Sequence, residues 1–288
     1  MAHAEDKYYV PDGSHWPLTG SIGLFATVGG TAILLNGGDA GKWIAFLGAA
    51  ILLWMLFGWF GAVIRESESG IYNEQVDRSF RMGMLWFIFS EIMFFAAFFG
   101  VLFYARALSV PWLGGEGTEF FTNFFLWPNY EASWPTNGPA EMGGAFGIMD
   151  AWGLPAMNTI ILLASGATIT VAHHAIQAGN RKVLIIFLGL TILLGLLFVG
   201  LQAEEYIHAY NELGLTLGSG IYGSTFFMLT GFHGLHVTLG VTMLIVIWFR
   251  CLKGHFSPRH HFAFEGVAWY WHFVDVVWLF LFIFVYWL

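Results

Sequence analysis

The segment "WYWHFVDVVWLFLF", residues 269–282, decides the fold class of this chain. Apart from His272 and Asp275 it consists of aromatic and aliphatic side chains, a pattern typical of a helix that crosses a membrane. An ionisable side chain at mid-bilayer costs about 2.5–3.5 kcal/mol or more. The two polar residues therefore need either a partner or a function.

The rest of the chain has the same apolar character. Of its 288 residues 57% are hydrophobic, 19% are aromatic and only 10% are charged, which is typical of a polytopic membrane protein. Because about 20 apolar residues cross the hydrocarbon layer, we predict an all-α protein with seven transmembrane helices. The predicted spans are 17–36, 41–64, 82–106, 153–177, 182–207, 219–249 and 264–288.

Composition also excludes several classes of protein. A net charge of −8 speaks against nucleic-acid binding, and Cys251 is the only cysteine, so neither a disulfide framework nor a thiolate cluster is expected. The amino-terminal stretch is polar and acidic where a signal peptide would be basic. We expect the first span to be retained as an anchor.

The distribution of basic residues predicts the orientation. Nine of the eleven lie in the amino tail or the even-numbered connections, and only Lys42 and Arg106 lie on the other side. The positive-inside rule then places the amino terminus in the cytoplasm or matrix. The sequence favours a bacterial cytoplasmic membrane and leaves the mitochondrial inner membrane open.

The connections divide the chain into three parts. We predict an amino tail with a two-helix arm (1–64), a charged cytoplasmic hinge (65–81) and a five-helix bundle (82–288). Within the bundle, residues 107–152 are rich in Gly, Pro and Trp and lack a helical period. We expect them to form an ordered external loop.

Two pairs of polar residues lie near the middle of the last two spans. His233 and His236, like His272 and Asp275, are three positions apart, which places each pair on one helical face. The simplest interpretation is that these four residues are structural and link the sixth and seventh helices. Haem or metal ligation is the alternative, disfavoured because no carboxylate trio accompanies the histidines.

Glu91 in the third span is surrounded by apolar residues. It is either protonated, or paired with a histidine such as His233 or His236, or part of a proton relay. A relay needs further groups, and Asp275 is the only other mid-span carboxylate.

Polar residues near the ends of the spans have simpler interpretations. His173 and His174 face head groups or cap the fourth helix, and Glu204 and Glu205 are structural groups near the outer surface. The basic ends of the second and sixth spans either bind anionic lipid head groups or fix the depth of the helices. They comprise Arg65 with Glu66, and Arg250 with Lys253.

Six motifs carry a resemblance to a known family. The motifs are "HWPLTG" (15–20), "VIRES" (63–67), "GMLWFIFSEIMFF" (83–95), "NTIILLASGATITVAHH" (158–174), "IYGSTFFMLTGFHGLHV" (221–237) and "HHFAFEGVAWYWHFVDVVWLFLF" (260–282). With them the chain resembles subunit III of cytochrome c oxidase from residue 15 to its end, and residues 113–152 lack such signatures.

The resemblance implies seven helices arranged as a V, with two helices in one arm, five in the other and phospholipids held in the cleft between them. It implies no haem or copper in this chain, since those cofactors belong to partner subunits I and II. The implied function is a non-redox accessory subunit that stabilises the catalytic subunit and supports proton uptake during oxygen reduction. Rival functions are the matching subunit of a quinol oxidase, a haem-binding membrane protein and a proton-coupled transporter.

The resemblance also assigns individual residues. Glu91 matches the family's buried, carbodiimide-reactive carboxylate. His3 and His15 lie in the amino tail, which in the family approaches the proton-entry side of the large subunit. The implied lipid-binding residues are Trp59, Arg65, Glu66, Arg250 and His260.

Overall fold

The computed structural model describes residues 9–10, 13–118 and 120–288, and the regular secondary structure of these residues is helical. Among these residues seven helices are long and apolar enough to cross a membrane, which confirms the predicted all-α, seven-span class. They are α1 (Trp16–Leu35), α2 (Ala40–Glu68), α3 (Glu74–Tyr104), α4 (Leu154–Gln177), α5 (Arg181–Asn211), α6 (Gly220–Lys253) and α7 (Phe262–Leu281).

Two helices, α2 and α3, extend beyond their predicted apolar spans at their charged ends. α2 continues to Glu68 and α3 begins at Glu74, so the charged segment predicted as a hinge is mostly helical, with residues 69–73 between the two helices. At its other end α3 runs into a π-helical turn, Ala105–Ser109, and a last turn, Val110–Leu113. Charged residues limit the apolar span that hydropathy predicts, but they do not end the helix. A helical backbone satisfies its own hydrogen bonds both in lipid and in water.

Beyond Leu113, the described part of the segment that leads to α4 contains a short helix, Phe120–Leu126, and is otherwise irregular. Asn123 holds it together, because its side-chain nitrogen lies 2.8–3.1 Å from the carbonyl oxygens of Leu113, Trp127 and Tyr130. These contacts join the last turn after α3 to the irregular chain that follows.

The chain divides into two compact units, Met1–Phe80 and Arg81–Leu288, called unit 1 and unit 2 below. In unit 1, α1 and α2 pack closely through glycine. A Cβ at Gly30 would overlap the backbone of Ala45, and a Cβ at Gly41 would overlap that of Leu34. Glycine at these positions lets the two helix backbones approach each other.

Unit 2 is built around α7. Trp271 is fully buried and donates its ring N–H to Ser165 Oγ of α4 at 2.9 Å, and its ring lies where a Cβ at Gly240 of α6 would stand. Two helical turns further along α7, Trp278 donates its ring N–H to Thr159 Oγ1 of α4 at 2.9 Å. The segment that first indicated a lipid-facing span therefore forms the most buried of the seven helices.

Candidate functional site

The mid-span carboxylate Glu91 is paired with His236. Glu91 Oε2 on α3 lies 3.0 Å from His236 Nε2 on α6, and the side chains are 22% and 9% exposed, respectively. Phe94 and Phe95 of α3 pack against the imidazole ring, with ring centroids 6.1 and 5.0 Å away. Of the two histidines that the sequence offered as partners, the structure brings His236 to Glu91.

The neighbours of His236 define how the pair shares its protons. Its Nδ1 lies 2.6 Å from the carbonyl oxygen of Phe232, and because a carbonyl only accepts, Nδ1–H is the donor. The contact between Nε2 and Glu91 then holds one proton between two heavy atoms.

His233 forms a different link, between α6 and α7. It is 1% exposed, and its Nε2 donates to the carbonyl oxygen of Val274 at 3.2 Å. Trp278 and Phe198 flank the ring, with centroids 5.1 and 5.7 Å away. This is the link between the sixth and seventh helices that the sequence predicts.

His272 and Asp275 contact each other, with 3.4 Å between His272 Nδ1 and Asp275 Oδ2. The pair lies against α4, whereas its sequence predicts a link to α6. His272 Nε2 is 3.4 Å from Thr170 Oγ1, and a Cβ at Gly166 would overlap the Asp275 carboxylate. Glycine at position 166 therefore makes room for a carboxylate between two packed helices, a relation that the spacing within α7 cannot reveal.

The lipid-binding candidates of unit 1 lie at the carboxyl end of α2. Arg65 is exposed, and the Trp59 side chain is 48% exposed and stacks on Phe60. Glu66 accepts hydrogen bonds from two phenols, Tyr72 at 2.7 Å and Tyr9 at 3.3 Å.

The pKa of Tyr72 is raised above its usual value. Partial burial is the larger cause, and the hydrogen bond to Glu66 is the second. A phenol that keeps its proton is a constant donor to the Glu66 carboxylate. The charged end of α2 is thus tied to the turn that follows it.

The lipid-binding candidates of unit 2 differ in exposure. His260 is exposed in the connection between α6 and α7. Arg250, in the last turn of α6, is 7% exposed, and its guanidinium carbon lies 4.5 Å from the centre of the Phe256 ring. The Arg250 side chain therefore serves packing within the unit as well as carrying a charge at the helix end.

Glu205, predicted to be a structural group near the outer surface, is buried within unit 2. Glu205 of α5 is 0% exposed, and its Oε1 accepts hydrogen bonds from Tyr286 at 2.5 Å and Gln202 at 3.3 Å. Gln202, three residues earlier on the same helical face, was the available signal. Glu204 is exposed, as expected.

The amino-tail candidates are only partly described. His3 lies outside the described residues. His15 immediately precedes α1, and its ring lies 4.2 Å from that of Trp16 between centroids.

The fold and the site define a polytopic α-helical membrane protein whose mid-span histidines bond to groups of the same chain. A sequence model of the family described as cytochrome c oxidase subunit III matches residues 6–288. The protein named cytochrome c oxidase subunit 3 in Cyprinus carpio is 42% identical over 288 residues, which is 100% of this chain and 99% of the relative.

Two further relatives carry the same name. The one from Squalus acanthias is 41% identical over 100% of this chain and 99% of its own length. The one from Marchantia polymorpha is 42% identical over 281 residues, 97% of this chain and 96% of its own length. The chain belongs to the cytochrome c oxidase subunit III family, which confirms the resemblance carried by its motifs.

Proposed function

We propose that this chain is a non-redox accessory subunit of cytochrome c oxidase, the respiratory complex that passes electrons to oxygen. In this proposal it docks beside subunits I and II, which hold the haem and copper. It stabilises the catalytic subunit, binds structural phospholipid and supports proton uptake.

The observation that supports a non-redox role most directly is how the mid-span imidazoles are used. Both nitrogens of His236 are engaged, by Phe232 O and by Glu91. His233 donates from Nε2 to Val274 O and keeps the lone pair on Nδ1, but its ring is 1% exposed and is flanked by Phe198 and Trp278. An axial haem ligand must present a free nitrogen lone pair to the iron. His236 could ligate only by breaking a contact that its neighbours are positioned to make.

The exposed apolar surface supports a role through contact with lipid and partner. In unit 1, Phe46, Trp54 and Phe57 of α2 are 59–70% exposed. Such faces need acyl chains or another protein to cover them. The exposed Arg65 at the end of the same helix has the chemistry to hold an anionic head group.

The proposal includes the predicted arrangement in the membrane. We place the amino terminus on the cytoplasmic or matrix side and residues 107–152 outside. The three relatives reported above come from fish and a liverwort. Their sources support the mitochondrial inner membrane as the alternative to the bacterial membrane that the sequence favours.

Purification in mild detergent tests the assembly. A tagged copy should bring down larger oxidase subunits that carry haem and a copper-binding cysteine pair. A companion subunit without that cysteine pair would favour the quinol oxidase alternative. Recovery of the chain alone, fully folded and monodisperse, would contradict the accessory role.

Mass spectrometry of retained lipid tests the head-group sites. Arg65→Ala and Arg250→Ala should each lower the content of anionic phospholipid, and Lys42→Ala at the other end of α2 should not. Unchanged lipid in both arginine variants would remove these residues from the proposal.

A further inference from the structure

Three side chains that the proposed function does not use come together at one end of unit 2. The cluster consists of His173, His261 and Glu265, and each offers one ligand atom within 4.8 Å of the others. It is the one group of at least three potential metal ligands found among residues 9–10, 13–118 and 120–288.

The helices explain why the cluster forms. His173 lies in the last turns of α4, and α7 begins beside it. His261 immediately precedes α7, and Glu265 follows four residues later in the first turn, so both project from the same side of the α7 amino terminus. The ring centroids of His173 and His261 are 5.7 Å apart.

The neighbours of His261 and Glu265 orient them as ligands. His261 Nδ1 donates to the carbonyl oxygen of Ser257 at 3.1 Å, which leaves the lone pair on Nε2. Glu265 Oε2 accepts a hydrogen bond from Arg81 at 2.6 Å, and the carboxylate has a second oxygen to offer. Hydrogen bonds of this kind fix ligand geometry in metal sites.

His173 completes the donor set. The amide nitrogen of Gln177, which is exposed, lies 3.3 Å from His173 Nε2, so an ion at this nitrogen would replace one long hydrogen bond. Ligand atoms around tetrahedral zinc are about 3.3 Å apart, given bonds of about 2.0–2.1 Å. Modest side-chain rotations therefore suffice to close the cluster around an ion.

We propose that His173, His261 and Glu265 form a binding site for Zn²⁺ or a similar divalent transition metal, with water completing the coordination. Two imidazoles and one carboxylate are a donor set that zinc takes in proteins. The site joins the end of α4 to the start of α7. It rests on the geometry of unit 2 and is independent of the proposed function.

The Arg81 guanidinium sets a limit on affinity. Its positive charge opposes a second cation, while its hydrogen bond holds Glu265 in place. A site of this kind exchanges its ion more readily than a closed structural zinc site with four protein ligands. The ordinary alternative is an Arg81–Glu265 ion pair beside two histidines that bind no metal.

Zinc titration of the full-length chain in detergent separates these alternatives. Metal-free protein is titrated with Zn²⁺ against a chromophoric chelator. We expect one saturable zinc per chain in the wild type and at least a tenfold weaker site in His173→Ala, His261→Ala and Glu265→Gln. His174→Ala, which removes the exposed neighbouring imidazole, is the matched control and should bind as the wild type does.

X-ray absorption at the zinc edge uses only the wild-type protein, so misfolding of a variant cannot affect its result. The expected first shell contains two imidazole nitrogens and oxygen. A wild-type chain without a saturable site, zinc bound equally by all three ligand variants, or a first shell without imidazole overturns the proposal.

Discussion

Replacing Glu91 tests the idea that the mid-span polar groups serve structure. Glu91 Oε2 and His236 Nε2 are 3.0 Å apart in a part-buried contact, and His236 Nδ1 already donates to Phe232. In Glu91→Gln an amide N–H can donate to the same nitrogen of a neutral imidazole. The variant keeps the shape and the contact.

The expected magnitudes follow from what each substitution leaves behind. Glu91→Gln exchanges one hydrogen bond for another, so its cost should stay below about 1 kcal/mol. Glu91→Leu leaves His236 Nε2 buried without its partner, which costs about 1–3 kcal/mol. Combining Glu91→Leu with His236→Leu removes both polar groups, so the double variant should lose less than the sum of the single losses.

Thermal unfolding of the purified protein in detergent gives the stabilities, and oxygen consumption of the assembled oxidase gives the function. Glu91→Gln should assemble and start turnover at nearly the wild-type rate. If Glu91→Gln abolishes turnover at once, the carboxylate is an obligatory proton carrier. If it destabilises the fold as much as Glu91→Leu, the hydrogen bond does not explain the contact.

Three further predictions concern packing and pH. Trp271→Phe loses the ring N–H donor and leaves a cavity, so it should lower the free energy of unfolding by roughly 1–3 kcal/mol. An unchanged midpoint of thermal unfolding would contradict the central place of this ring. Gly166→Ala should cost about 1–3 kcal/mol, because its new methyl group overlaps the Asp275 carboxylate; full wild-type stability would show that the helices adjust freely. Since burial and Glu66 raise the pKa of Tyr72 above its usual 10.0, the Tyr72 contribution to stability is intact below pH 10 and falls above it, as the unfolded state ionises first. Unfolding midpoints between pH 8 and 11 should therefore fall more steeply in the wild type than in Tyr72→Phe, and parallel curves would refute the coupling.

The seven spans could be predicted from the sequence because hydropathy depends on the chain alone. The ends of α2 and α3 could not, since charged residues such as Arg65 and Glu74 end the apolar stretch without ending the helix. Nor could composition show that α7 is the innermost helix of unit 2. A run of aromatic residues is equally apolar whether it faces lipid or, as at Trp271, other helices.

The polar contacts show the same limit. Spacing placed His272 beside Asp275, since both are on one helix, and the structure has them in contact. Spacing could not choose between His233 and His236 as the partner of Glu91, because the rotation of α3 relative to α6 is set by packing. The burial of Glu205 could not be predicted for a related reason, since its distance from the end of α5 says nothing about which neighbouring side chain covers it.

The optical spectrum of the purified chain, freed of partner subunits, tests the central claim most directly. The claim is that His233, His236 and His272 are structural groups and that electrons do not pass through this chain. We predict no Soret band and no difference between the reduced and oxidised spectra. A stoichiometric Soret band that disappears when the three histidines are replaced by alanine would contradict the account.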